Sequence, residues 1–289
     1  MNSYFKLLRK IEIHPLLWLI VGIAVITANF RELLMLFFII LVHEMGHAAC
    51  AHFFSWRIKK IQLLPFGGVA EMDEHGNRPL KEELFVVLAG PAQHIWLVAG
   101  GYILTKVSIM SQDTFELFLY HNVVILLFNL LPVWPLDGGK LLYLFFSSKH
   151  SFFEAHKRML ILSSFSIITM IALVLLYYPN NLNLWIVISF LIFSIIMEWR
   201  KRHFVFMRFL LERYYGKQDT FINLKPIIVD ETEKVYNVLS MFQRGYKHPI
   251  VIRKNGENQH PLDENELLHA YFNEKKSYDP VGDLLYLTF

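Results

Sequence analysis

The stretch LLMLFFIILVHEMGHAACAHFF, residues 33–54, sets both the fold class and the chemistry of this chain. It has the length of a bilayer-crossing helix, which needs about 20 apolar residues. Its second half carries His43-Glu44-Met45-Gly46-His47. On a helix, positions i and i+4 share one face, so His43 and His47 can grip a single metal ion together. Glu44 sits about 100° round the helix, within reach of a metal-bound water as a general base. Two imidazoles and a carboxylate at bilayer depth are costly and mark a functional site.

The rest of the composition agrees with a membrane setting. Of 289 residues, 54% are hydrophobic and 15% aromatic, which excludes an ordinary soluble domain. Charges gather in short clusters between apolar runs and in roughly the last ninety residues. A net charge of +3 is too slight to argue for a nucleic-acid partner. The single cysteine, Cys50, excludes an internal disulfide framework and suits a cytoplasm-facing protein. Lys6, Arg9 and Lys10 precede the apolar run Leu16–Ala28 in the manner of a signal peptide. No small-x-small cleavage site follows, and a second apolar run begins almost at once, so a retained first span is expected.

Six apolar runs, near 16–28, 33–54, 84–105, 115–146, 158–178 and 182–199, predict an α-helical polytopic membrane protein with about six transmembrane helices. The first is short for a span unless it begins near Ile11. The fourth is too long for one plain helix. Its interruption, NLLPVWPLDGG at 129–139, holds two prolines and two glycines, and the helix should unwind there. Broken backbone at membrane depth is tolerated only where it is buried in protein or lines a wet cavity. Lys and Arg crowd the loops on one side (Arg57, Lys59, Lys60, Arg78, Lys81, Lys149, Lys157, Arg158), whereas the alternate loops carry only Arg31 and Lys106. The positive-inside rule then puts both termini in the cytoplasm.

That topology sets the depths of the polar residues. Counting inward from Phe54, His43 lies roughly 16 Å deep at 1.5 Å per residue; counting from Phe146, Asp137 lies roughly 14 Å deep. The depths match, and Asp137 becomes a candidate third metal ligand, completing His₂Asp with one position left for water. Asp137 also fits a turn or cap before Gly138-Gly139, and the two roles are compatible. Cys50, three residues after His47, is the competing ligand, although three ligands from one straight helix seldom make a tetrahedron. As a small core residue among Ala48, Ala49 and Ala51 it needs no metal. His52 is expected near the interface. His94, in Gly90-Pro91-Ala-Gln-His94, is expected to support a ligand or pack rather than bind metal.

With HEMGH in one apolar helix and N-x-x-P-x-x-P-L-D-G-G in a later one, the chain resembles the site-2 protease family of intramembrane metalloproteases. Leu64-Pro-Phe-Gly67-Gly68 after the second span and Gly90-Pro91 in the third extend the match. Each motif is weak alone, but the order and spacing are specific. Across its whole length the chain resembles the sporulation branch of that family found in endospore-forming bacilli. The resemblance implies one Zn2+ held by His43, His47 and Asp137, with Glu44 as the catalytic carboxylate. It implies that Asn129 helps hold the substrate chain and that Gly67 and Gly68 belong to a loop near the active site. It further implies a sigma-factor precursor as membrane-associated substrate, inhibitory membrane proteins as partners, and the mother-cell membrane surrounding the forespore as location.

The sequence divides into a membrane domain at 1–200, a basic amphipathic linker at 201–222 and a soluble domain at 223–289. In the linker, Phe204, Met207, Leu211 and Tyr214 form an apolar face, either on a membrane surface or on an extension of the last span. Strand-like Pro226–Val229, helical Val235–Arg244, strand-like His248–Arg253, a turn at Lys254-Asn-Gly256 and helical Leu262–Tyr271 with Asp263 as N-cap give an α/β order. That order resembles a single CBS module, which implies a homo-oligomer and an adenine nucleotide; a plain docking or oligomerisation domain is the other reading. For the chain as a whole, two rivals to an intramembrane protease stand. In one, a metal transporter uses the same His and Asp residues as transit ligands; in the other, a catalytically dead membrane scaffold carries a regulatory tail.

Overall fold

A computed structural model describes residues 11–13, 30–64, 67–72, 78–216, 223–254 and 256–286. The first expected span, 16–28, lies outside the described residues, as do 217–222 of the expected linker. The chain divides into two compact units: Met1–Glu74, Lys81–Leu141 and Ser163–Ser194 form one, and His75–Leu80, Leu142–Leu162 and Ile195–Phe289 the other.

In the first unit, strand β1 (Ile11–Ile13) precedes helix α1 (Phe30–Phe53), and strands β2 (Ile58–Leu64) and β3 (Gly67–Met72) follow it. Ile11 is therefore not the start of a span. β1 pairs with β2 in parallel and β2 with β3 antiparallel, Leu64 opposite Gly67, so among the described residues β3 is an edge of the sheet. Gly67 and Gly68, expected in a loop, head this strand. Helix α2 (Leu80–Lys106) is followed by α3 (Gln112–Asn129), α4 (Asp137–Lys149), α5 (Phe152–Tyr177) and α6 (Leu182–Tyr215). Ser111 caps α3, its Oγ accepting from the Thr114 N–H.

Among the described helices, α1, α2, α5 and α6 are long and apolar enough to cross a membrane. Their outward faces carry Phe38, Ile95, Trp96, Ile168, Leu176 and Phe193, each more than half exposed. Apolar surface on this scale belongs against lipid, and the chain is an integral membrane protein. The fourth apolar run is two helices. α3 stops at Asn129 and α4 starts at Asp137, with turns between, where Pro132 and Pro135 remove two N–H donors.

The second unit gathers the later turns of α4, the first turns of α5 and the second half of α6 with the C-terminal elements. Those elements are β4 (Asn223–Leu224), β5 (Ile227–Asp230), α7 (Val235–Ser240), β6 (Tyr246–Lys247), β7 (Ile250–Lys254), β8 (Glu257–Asn258), α8 (Glu264–Phe272) and a 3-10 turn at Val281–Tyr286. β5 and β7 are parallel, joined through α7, and β7 and β8 form a tight hairpin in which Gly256 takes φ +85°. Asp263 caps α8 in a capping box with Glu266.

The stretch expected as a linker from 201 is helical to Tyr215, and the face it buries differs from the expected one. Phe206, Phe209, Leu210 and Arg213 are buried, at i, i+3, i+4 and i+7, whereas Phe204 is 76% exposed. Phe209 stacks on Phe152 with centroids 4.1 Å apart. The charge on Arg213 does not keep it on the surface, because Glu264 meets it in a fork: Nε to Oε1 at 2.6 Å and Nη2 to Oε2 at 2.9 Å. Its Nη1 donates to Gln243 O at 3.0 Å, and the His248 N–H donates to Glu264 Oε2 at 2.8 Å. Removing either partner would strand a buried charge, which costs about 3–5 kcal/mol. His248 is buried and neutral: the Gln243 N–H donates to its Nε2, and its Nδ1 donates to Lys225 O. Burial holds its pKa below the usual imidazole range.

Candidate metal centre

α1 sets His43 and His47 one turn apart, their rings edge to face with centroids 4.8 Å apart. Gly46 between them lets α1 approach α2 closely, since a Cβ there would stand 2.6 Å from Ala89 O. The third group comes from the broken run. Val133 and Leu136 bury the connecting turns, and the Trp134 N–H donates to Ser163 Oγ at 3.1 Å. Gly138 and Gly139 allow those turns to fold against the start of α4: a Cβ at 138 would lie 2.2 Å from Leu130 O, and one at 139 would lie 2.6 Å from Trp134 N.

The turn thereby delivers Asp137. Its Oδ2 is 3.0 Å from His43 Nε2 and 3.1 Å from His47 Nε2, and the two Nε2 atoms are 3.1 Å apart. The carboxylate's other oxygen, Oδ1, accepts from Lys140 Nζ at 3.0 Å. Lys140 stands at i+3 on the same helix face and holds the carboxylate with Oδ2 turned towards the imidazoles. Glu44 is beside them, and one ligand atom each from His43, Glu44 and His47 lies within 4.8 Å of the others. His43, Glu44, His47 and Asp137 are all buried.

The donor set fits a zinc ion. Ligand atoms about 2.0 Å from a tetrahedral zinc stand about 3.3 Å from one another, so the triangle of His43 Nε2, His47 Nε2 and Asp137 Oδ2 is nearly of that size. His47 Nδ1 lies 2.7 Å from Val86 O. A carbonyl only accepts, so Nδ1 carries the proton and Nε2 presents a bare lone pair. Gly90 lets α2 pack against the two imidazoles, since a Cβ there would stand 2.2 Å from His47 Nε2 and 2.8 Å from His43 Nε2.

The other singled-out residues fall as follows. Cys50 is half-buried against Ala48, Ala51, Trp56, Ile58 and Val86, in an apolar cluster. His52 is half-buried in the last turn of α1. Asn129 ends α3, its amide donating to Ile125 O at 3.1 Å. His94 lies against His43, its Nε2 3.1 Å from His43 Nδ1, and its Nδ1 is 3.1 Å from Asn122 Oδ1. Sequence reasoning missed Asn122, Lys140 and the Val86 carbonyl. Lys140 was within reach of an i, i+3 argument from Asp137, and Asn122 was a polar residue in an apolar run. Nothing in the sequence singles out a backbone carbonyl.

The family model for peptidase family M50 matches residues 32–112 and 105–173. The chain is 49% identical to stage IV sporulation protein FB of Bacillus subtilis over 285 residues, which are 99% of each chain. It is 32% identical to a zinc metalloprotease of Methanocaldococcus jannaschii over 127 residues, 43% of this chain and 37% of that protein. Among solved structures, a site-2 protease from Methanocaldococcus jannaschii is similar at a TM-score of 0.51 and 29% identity, covering 65% of this chain and 89% of that one.

Proposed function

The chain belongs to peptidase family M50, as a zinc metalloprotease of the site-2 type, and on that premise we propose that His43, His47 and Asp137 hold the zinc and that Glu44 is the catalytic base. The observation that carries this assignment is the meeting of two imidazole nitrogens and one carboxylate oxygen within 3.1 Å, in a bilayer-length apolar bundle, with Glu44 alongside. When bound, zinc supplies a Lewis acid for the scissile carbonyl and an acidified water. Glu44 takes the proton from the attacking water and passes it to the leaving nitrogen. Lys140 keeps the Asp137 carboxylate turned towards the ligands. The buried walls exclude bulk water, which strengthens each of these interactions.

A helical substrate has its carbonyls occupied, so the chain to be cut unwinds first. We assign Gly67, Gly68 and Asn129 to holding the unwound segment. Among the described residues Gly67 and Gly68 head an edge strand, the kind of strand to which an extended chain adds, and Asn129 stands where the backbone breaks before Asp137. The likeness to a stage IV sporulation protein over nearly the full length of both chains supports a sporulation role. The proposed substrate is a membrane-associated sigma-factor precursor, with inhibitory membrane proteins as regulators. The likeness to a sporulation protein supports the mother-cell membrane around the forespore as its location, and the asymmetry of Lys and Arg between loops supports cytoplasmic termini.

The C-terminal elements run β5-α7-β7-β8-α8, with a parallel pair followed by a hairpin. That order supports reading them as a CBS-like docking module, a role that requires no bound adenine nucleotide.

The deciding experiment uses the full chain in proteoliposomes with a membrane-associated precursor. Cleavage is expected to stop on chelation and to return with one equivalent of zinc, with no transmembrane flux of metal. Flux without cleavage would replace the protease by a transporter.

A further inference from the structure

His47 and His43 face the same metal position but are oriented by different devices. His47 is fixed by a backbone carbonyl, Val86 O, which can only accept. The Nδ1 of His43 meets another imidazole, His94 Nε2, at 3.1 Å. An imidazole can accept or donate, so this contact alone fixes nothing. Direction comes from the far end of the chain of contacts. Asn122 has one amide atom 2.8 Å from Phe118 O and the other 3.1 Å from His94 Nδ1. Because Phe118 O only accepts, the atom facing it is the NH2 group, and the atom facing His94 is the carbonyl oxygen. His94 Nδ1 therefore carries its proton and donates it to Asn122. In the neutral ring His94 Nε2 is then bare and accepts, so the proton between the two imidazoles sits on His43 Nδ1. That leaves His43 Nε2 as a lone pair aimed at the metal position.

We infer that His94 and Asn122 are positioning residues that lock His43 in the Nδ1–H form through a buried relay ending on the Phe118 carbonyl. All three side chains are buried, at 1–2% exposure, so no bulk water competes for these bonds. The relay has a definite competitor. If His94 accepted a proton on Nε2 instead, His43 would carry its own on Nε2 and donate it to Asp137 Oδ2, 3.0 Å away. The metal-free site would then be a satisfied hydrogen bond with one ligand blocked. By forbidding that form, the relay raises the affinity for zinc without touching the ion. The inference rests on His43, His47 and Asp137 being the zinc ligands.

The test measures zinc affinity by chelator competition on purified full-length protein, with cleavage as a second readout. Losing a partner that orients a metal-bound imidazole lowers affinity about 10–100-fold. That loss is expected for His94→Leu and for Asn122→Leu. His94→Gln retains an acceptor for His43 and a donor for Asn122, whereas Asn122→Asp would lose the NH2 that donates to Phe118 O and is not an intact-relay control. His94→Gln is expected to bind within about threefold of the parent. A packing role would not distinguish the amide from the hydrocarbon, so equal losses in His94→Leu and His94→Gln overturn the relay, as does parental affinity in both Leu variants. Should the Leu variants fail to fold, a tenfold loss in His94→Gln overturns it. His43→Ala and His47→Ala serve as references. If they too keep full zinc affinity, the assignment of the metal centre fails; if they lose zinc while His94→Leu binds like the parent, only the relay fails.

Discussion

Glu44→Gln is expected to reduce cleavage by about 10³-fold or more while the protein still carries one zinc per chain. General acid–base catalysis contributes about 10²–10⁴-fold, and the substituted amide would keep the shape of the side chain while losing the proton acceptor. Glu44 is buried beside the two histidines, so no solvent carboxylate replaces it. Asp137→Ala provides the contrast. It removes the Oδ2 that meets both Nε2 atoms, so zinc content and activity should fall together. The paired measurement is metal content by elemental analysis and cleavage by the same preparation. Near-parental cleavage by Glu44→Gln would sink the general-base assignment. Full zinc in Asp137→Ala would move the third ligand elsewhere, with Cys50 first in line.

Much of the site was legible because helical geometry carries over from sequence. The i, i+4 spacing fixed which face His43 and His47 share, and the run of prolines and glycines at 132–139 marked where a span breaks. The expected match in depth pointed to Asp137, and the structure brings its Oδ2 to 3.0 Å from His43 Nε2. What could not be read were contacts between helices with no spacing rule to join them. His94 and Asn122 are 28 residues apart on α2 and α3, and only their packing puts 3.1 Å between them. The extension of α6 was half legible. Its amphipathic character was plain, but the expected apolar face ran through Phe204 and Met207, and the presence of Phe152 and Glu264 puts Phe206, Phe209 and Arg213 inside instead. The last segment of the second unit starts inside that helix, at Ile195. Truncation after Arg200 would remove Phe206 and Phe209 from Phe152, and so would test packing as much as docking.

Gly90→Ala is expected to be nearly as damaging as loss of a ligand, although residue 90 touches neither zinc nor substrate through any side chain of its own. The added methyl would stand 2.2 Å from His47 Nε2, 2.4 Å from His47 Cε1 and 2.8 Å from His43 Nε2. Carbon contacts are comfortable only at about 3.5–4.0 Å, so something must shift by an ångström or more. α2 cannot simply retreat, because His47 Nδ1 is bonded to Val86 O one turn earlier in the same helix. A retreat would break the bond that sets the His47 tautomer. The alternative is rotation of the two imidazoles, which are the proposed ligands. Either route misplaces the metal, and displacement of a reacting group by about 1 Å costs about 10²-fold in rate. Zinc affinity and cleavage should therefore fall together by about 10²-fold or more. Gly100→Ala, on the same helix with nothing within 4 Å of the added carbon, is the control and should leave both unchanged. Overpacking elsewhere in the bundle would lower thermal stability and spare the zinc. A folded Gly90→Ala protein with parental zinc affinity and parental cleavage would show that the close packing of α2 on His43 and His47 does not matter to the chemistry.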